Sequence, residues 1–333
     1  MLLNYIIIGG NMANLSLTAC SFHLKPRKSQ KKPFYINREI KVEKDEEEII
    51  FKNCIEVFKS FFDAYSDSIS DDYRKKTFSC FFHENYKGET DEYIYMYTLI
   101  KSGNYGSTSE IKDIDTNEVV YEKKANESEE KPFYLFIVIP KDNDRVIVQK
   151  GMLLFQNIGP YGVKTITTQY MQKYFSENFG ITINCRTIAP ELFVRKILRK
   201  ENISKLIMTR NHKSKDASDK LSSGYGVETR MLANLRFDEK LWGKISSKMN
   251  FFIKGKANLF EFEGFKYNDL RVEVNIGDKK RRINLNYIDN LSIIEDMPDS
   301  ILGLDGHPIE ELLVEHFKEV SNEYLSEMVL QIN

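Results

Sequence analysis

Residues 132–187 constrain the fold more than any other part of the chain. An apolar run at 133–139 leads into a polar turn at 140–144, and a second apolar run covers 146–158. Gly159, Pro160, Tyr161 and Gly162 follow, then a mixed segment at 163–179 and a third apolar run at 181–187. The turn is too short for the crossover that parallel strands need, so the first two runs predict an antiparallel hairpin. Within 163–179, Val163, Ile166, Tyr170, Met171, Tyr174 and Phe175 share one stripe at helical spacing, enough to cover a sheet face. Gly180 stands where a helix C-terminal glycine belongs. The stretch reads as hairpin, helix, strand.

The rest of the chain extends this pattern. Residues 13–22 alternate Leu15, Leu17 and Ala19 with Asn14, Ser16 and Thr18, as a strand would. Residues 46–65 predict a helix with Ile50, Phe51, Cys54, Ile55, Phe58, Phe61 and Phe62 on one face. Period two returns at 77–83, 93–101, 109–114 and 118–123, with a tight turn at 115–117. Pro190 suits the first turn of a further helix, and 203–209 reads as a strand. Residues 211–226 are polar and aperiodic and read as a flexible loop or hinge. A strand at 227–237 and a helix at 238–249 follow. Leu270, Val272, Val274 and Ile276 alternate with Arg271, Glu273 and Asn275; the chain turns at 277–280 and returns through Ile283, Leu285 and Tyr287. A closing helix from Pro308 carries Ile309, Leu312, Leu313, Phe317, Val320, Tyr324 and Met328 on its core side.

The expected fold class is α+β: an antiparallel β-sheet meander with packed helices, plus a smaller C-terminal α+β part. The expected domains are 12–210, a hinge at 211–226, and 227–333 with a hairpin and a C-terminal helix. The first 11 residues resemble a translated ribosome-binding site, which places the true start at Met12. An intact mass beginning at Met1 would refute this.

At 41% hydrophobic and 29% charged residues, the 333-residue chain has a globular composition, and its 22 Phe and 18 Tyr suit sheet surfaces. The net charge of -1 conceals segregation. Residues 25–44 hold eight basic and two acidic side chains; 45–130 hold ten and 21; 191–256 hold 16 and seven; 281–333 hold three and 11. Such alternation fits an electropositive face for nucleic acid, or segments that neutralise each other across an internal interface. Cys20, Cys54, Cys80 and Cys185 form no C-x-x-C pair and sit in or beside apolar runs, as buried thiols in a reducing cytosol do. No apolar run reaches the length of about 18 residues that a membrane span needs, so the expectation is a cytoplasmic protein without membrane contact.

The motifs specify no reaction. Residues 159–165 follow a strand and open a helix, but their glycine and lysine spacing is not that of a phosphate-binding P-loop. Lys164 at this helix start can still meet a phosphate. His307 and His316 lie nine apart and cannot share one zinc as residues four apart do. The 269–280 hairpin supplies Asp269 and Glu273, with Lys279 or Lys280, the residue types of a Mg²⁺-dependent nuclease, without its carboxylate-x-lysine spacing. No cofactor is predicted, other than Mg²⁺ under that nuclease alternative, and no metal ligands are assigned. Arg195, Lys196, Arg199 and Lys200 on one helix, followed by Lys205, Arg210, Lys213 and Lys215, form a basic stripe suited to phosphate contact, or a solvated helix face and loop.

The run 151–165, the Tyr174–Phe175 pair and the Ile-x-Lys-Leu-Ile pattern at 203–207 resemble uncharacterised bacterial proteins of this size, some of them similar to components of phage-defence loci. The resemblance covers about the middle third of the chain and assigns no residue a role. The expected function is a non-catalytic recognition module, of the kind such defence systems use, that binds nucleic acid or a partner protein through a basic surface. A metal-dependent nuclease and a structural interaction subunit are the alternatives.

Overall fold

A computed structural model describes residues 15–27, 32–44, 47–142, 148–188, 203–213, 225–233, 240, 260–262, 265–267, 269–276, 279–284 and 293–329. The described residues are mostly antiparallel strand, with three α-helices among them. They fall into two compact units: Cys20–Cys185 with Leu302–Ser321, and Asn14–Ala19 with Arg186–Ile301 and Asn322–Asn333.

In chain order the elements begin with β1 (Leu15–Pro26), the hairpin β2 (Ile40–Lys44) and β3 (Glu47–Phe51), and α1 (Cys54–Ala64). Next come β4 (Ile69–Asp71), β5 (Lys76–Phe81), β6 (Lys87–Glu89), β7 (Tyr93–Asn104), and the hairpin β8 (Ser109–Lys112) and β9 (Val119–Lys123). Then follow β10 (Glu129–Pro140), β11 (Gly151–Ile158), β12 (Tyr161–Gly162), α2 (Lys164–Phe179) and β13 (Ile181–Thr187). The later elements are β14 (Ile203–Lys213), β15 (Tyr225–Ala233), β16 (Phe260–Phe262), β17 (Phe265–Tyr267), β18 (Asp269–Ile276), β19 (Lys279–Asn284), β20 (Ile293–Asp296) and α3 (Glu310–Val329).

In the first unit the strand order is β1-β11-β10-β7-β5-β4. The hairpin read from 133–158 is β10 and β11, paired Leu135↔Phe155 and Ile137↔Leu153. β7 and β10 pair along their whole length, from Glu129↔Asn104 to Pro140↔Tyr93. Strand alternation gives each face its own set. Met96, Ile100, Phe133, Leu135, Ile137, Leu153 and Phe155 enter one core with Phe58, Phe61 and Phe62 of α1 and Met171 and Phe175 of α2. Phe58 meets Phe22 edge-on at 5.2 Å, and Phe175 at 5.6 Å. Tyr95, Tyr97 and Phe136 lie on the other face, where Phe136 stacks on Phe317 of α3 at 5.2 Å.

Two local differences from the sequence reading have clear causes. The helix expected over 46–65 starts only at Cys54, because Asn53 caps it by accepting the Ile55 N–H at 2.9 Å. Residues 47–51 pair instead with β2, from Ile40↔Phe51 to Lys44↔Glu47; adjacent Ile49, Ile50 and Phe51 favour a strand. On α3, Ile309 just before it and Leu312 are exposed, whereas Leu313, Val314, Phe317 and Val320 are buried. The buried stripe is rotated so that Glu310 falls on it.

In the second unit the order is β15-β14-β18-β19-β20-β1. Leu206, Val272 and Ile283 form one buried row across β14, β18 and β19. β14 and β15 pair out to Lys213↔Tyr225, so residues 211–213 and 225–226 of the stretch read as a loop belong to a ladder; 214–224 lie outside the described residues. Lys279 and Lys280, read as part of a turn, are strand residues of β19.

Candidate functional site

The face of β14, β18 and β19 opposite that buried row carries the charge. Register sets Lys205, Glu273 and Arg282 side by side on successive strands. Arg271 and Lys280 flank them on the same face, Arg271 two residues before Glu273 on β18 and Lys280 paired with Asn275. Strands about 4.8 Å apart and alternate residues about 6.7 Å apart make this a regular grid. Glu273 is 8% exposed. Its carboxylate receives Lys205 Nζ at 3.2 Å, Lys280 Nζ at 3.9 Å and the Ser204 hydroxyl at 3.4 Å. Arg282 donates to Asp296 at 3.0 Å. Three cations thus contact two carboxylates, Arg271 lies beside them by register, and the lysines, Arg271 and Arg282 keep exposed surface.

The residues expected from sequence distribute unevenly over this geometry. Arg210 belongs to β14 but alternates to the other face, at the register position of Glu228. Lys213 is the last residue of β14. Asp269 begins β18, paired with Thr209, four residues from Glu273; at about 3.3 Å per residue their Cα atoms stand about 13 Å apart. Lys279 pairs with Ile276 at the hairpin end. Arg195, Lys196, Arg199 and Lys200, with the helix they were placed on, lie outside the described residues, as does the helix expected at 238–249 apart from Lys240. Arg271 and Arg282 were not assigned from sequence, and Lys280 only as an alternative nuclease lysine, because only the register between β14 and a hairpin some 65 residues later puts them beside Lys205. Among the described residues no group of three or more His, Cys, Asp or Glu is placed to hold a metal ion.

Lys164 is half-buried at the start of α2. Burial pushes the Cys20 thiol up, while the Lys164 charge and its hydrogen bond act in the opposite sense. Cys185 is pushed up to about 12, again mainly by burial. Both thiols are therefore protonated at neutral pH, in keeping with packing rather than nucleophilic use.

Glu310 is a second constellation that sequence reading missed. Its carboxylate accepts the hydroxyls of Tyr86, Tyr97 and Tyr134, each at 3.1 Å. Burial and then the Glu310 charge hold all three phenols above their ordinary range. Tyr86 and Tyr97 stack at 4.3 Å. Three phenol donors on one carboxylate make a satisfied network that orients α3.

No protein-family model matches this chain, and no curated protein matches it in sequence. Among the described residues no helix is long and apolar enough to cross a membrane.

Proposed function

We propose that this protein is a non-catalytic recognition module of the reducing cytosol that binds nucleic acid, its α-helices packed as supports on antiparallel sheet. The observation that carries the reading is the exposed grid of Lys205, Arg271, Lys280 and Arg282 on three adjacent strands. Its cations are spread along the sheet rather than converging on one bond, which suits a run of phosphates. Glu273 and Asp296 space them and hold their side chains in place. Of the basic segment 191–256, Lys205 lies on this surface. A role in bacterial antiphage defence is the setting that the resemblance implies.

The test is fluorescence anisotropy with labelled duplex DNA, single-stranded DNA and RNA over a salt series. Four phosphate contacts predict a log–log slope of about −3.6 on duplex, a loss of roughly 100-fold between about 50 and about 200 mM salt. Arg271→Ala and Lys280→Ala should each flatten the slope by about one. Absence of binding to all three polymers at low salt would refute the reading.

A protein partner is the second reading, and the β8–β9 hairpin favours it. Ile111, Ile114, Val119, Val120 and Tyr121 are 43–97% exposed there. Clustered exposed apolar side chains mark contact surfaces. Under this reading Ile114→Asp with Val120→Asp abolishes a complex that Arg271→Ala leaves intact, as size-exclusion chromatography of the captured complex would show.

A further inference from the structure

In the first unit the sheet face that feeds Phe78, Ile100 and Phe133 into the core changes character at its end. By strand alternation, Lys76, Ser102, Asn104, Glu129 and Lys131 continue the same face. Together with the β8–β9 hairpin and the turn 160–163 they line a half-open polar cavity of about 290 Å³. The hairpin lends it Ser109 and Lys123, which are register partners.

The charges of this cavity are unbalanced. Lys123 is 8% exposed, and its ammonium donates to the Ser107 carbonyl at 3.2 Å. Lys131 has Glu129 at 3.2 Å, a carboxylate that is 66% exposed. Among the described residues neither Lys76 nor Lys123 has a carboxylate within 4.0 Å, although the Lys123 charge acts on Glu127. Of these lysines only Lys123 is buried, and removing an ammonium from water is costly unless charge balances it. Three lysines against Glu129 and the more remote Glu127, in a lining that also includes Ser102 and Ser109, favour an anion. The volume sits at the small end of ligand cavities, which start near about 300 Å³, and is too small for a polymer. Tyr161 stands at the rim, 52% exposed, with the Lys131 ammonium 5.5 Å from its ring centre. A ligand held here has an apolar or planar surface within reach beside its anionic group.

We propose that this cavity binds a small phosphate monoester. The phosphate lies among Lys76, Lys123 and Lys131, and the organic part of the ester lies against Tyr161. The turn at 159–162 thus borders a phosphate site whose charges come from the sheet rather than from the helix that follows it. The inference is independent of the nucleic-acid reading, since it shares no residue with the grid on β14, β18 and β19.

Isothermal titration of the full chain with ribose 5-phosphate, adenosine 5′-monophosphate, inorganic phosphate and unphosphorylated ribose tests it. The expected result is one site for each ester, weaker binding of inorganic phosphate, and none of ribose. Lys76→Met with Lys131→Met should weaken the esters at least tenfold, and Tyr161→Ala should weaken them several-fold while leaving inorganic phosphate unchanged. Lys123 is left intact because it is buried, and unchanged melting of each variant confirms folding. No binding of any phosphorylated probe overturns the proposal, as does equal ester binding by the wild type and the double lysine variant. Equal affinity for ester and inorganic phosphate, insensitive to Tyr161, overturns the assignment of an ester.

Discussion

At the scale of single residues, Glu310 shows how one carboxylate can matter more than its surroundings suggest. Three phenol hydroxyls converge on it, so Glu310→Ala strands three donors at once. A stranded buried donor costs roughly 1–3 kcal/mol. Because these hydroxyls are only partly enclosed, the expected loss is on the order of 3 kcal/mol in total. Glu310→Gln keeps an acceptor and the volume and should lose less, which denaturant unfolding of both variants would measure. The same cluster sets a pH dependence. Tyr86, Tyr97 and Tyr134 are held above the ordinary value of 10.0 in the folded chain. Below that pH both states are protonated and stability is complete. As pH rises past it, the unfolded chain releases protons that the folded chain keeps, so stability falls. Tyr97→Phe should make the alkaline fall shallower by one proton, and absorbance near the tyrosinate band should show the remaining phenols ionising only with unfolding.

At the scale of elements, two glycines separate backbone strain from packing. Gly180 ends α2 in the left-handed region at φ 62° with nothing within 4 Å of an added Cβ. Gly180→Ala should therefore cost only the conformational penalty, about 1 kcal/mol. At Gly151 an added Cβ would stand 2.5 Å from the Phe22 ring and 2.7 Å from the Val138 carbonyl. Neither ring nor backbone can retreat from a filled core, so Gly151→Ala should cost about 3 kcal/mol or more. Thermal unfolding of the pair would show the ranking, and equal losses would mean that β1 and β11 are more loosely packed than described. The first glycine was legible in the sequence because it closes a helical stripe; the second was not, because its constraint comes from Phe22, more than a hundred residues away. The same division runs through the fold. β10, β11, α2 and β13 could be read directly, since local periodicity reports which side is buried. β3 was hidden because acidic residues followed by Ile49, Ile50 and Phe51 suit a helix start as well as a strand. The charged grid was half legible: the basic segment announced Lys205, but cross-strand register is not written in local sequence. Glu310 resembled a solvated first-turn acid, and only the rotation of α3 reveals it as an anchor.

At the scale of the whole molecule, a net charge of -1 argues that anion binding must be local. A nearly neutral chain exerts little long-range attraction, and opposing fields are screened beyond about 8 Å at physiological salt. Acceptance of phosphate therefore depends on particular side chains, and the two proposed sites draw on different sets in different units: Lys205, Arg271, Lys280 and Arg282 in one, Lys76, Lys123 and Lys131 in the other. Sites with no shared partners contribute independently. Arg271→Ala with Lys280→Ala should abolish most polynucleotide binding and leave the ribose 5-phosphate affinity within about twofold, an additive outcome. Lys76→Met with Lys131→Met should do the reverse. The salt response should differ as well, because a polymer releases condensed counterions along its length whereas a monoester carries no condensed atmosphere to release. Polynucleotide affinity should fall steeply with salt and monoester affinity only gently. Competition supplies the final check: saturating ribose 5-phosphate should leave the polynucleotide isotherm unmoved, and displacement of the polymer would show that one basic surface serves both ligands.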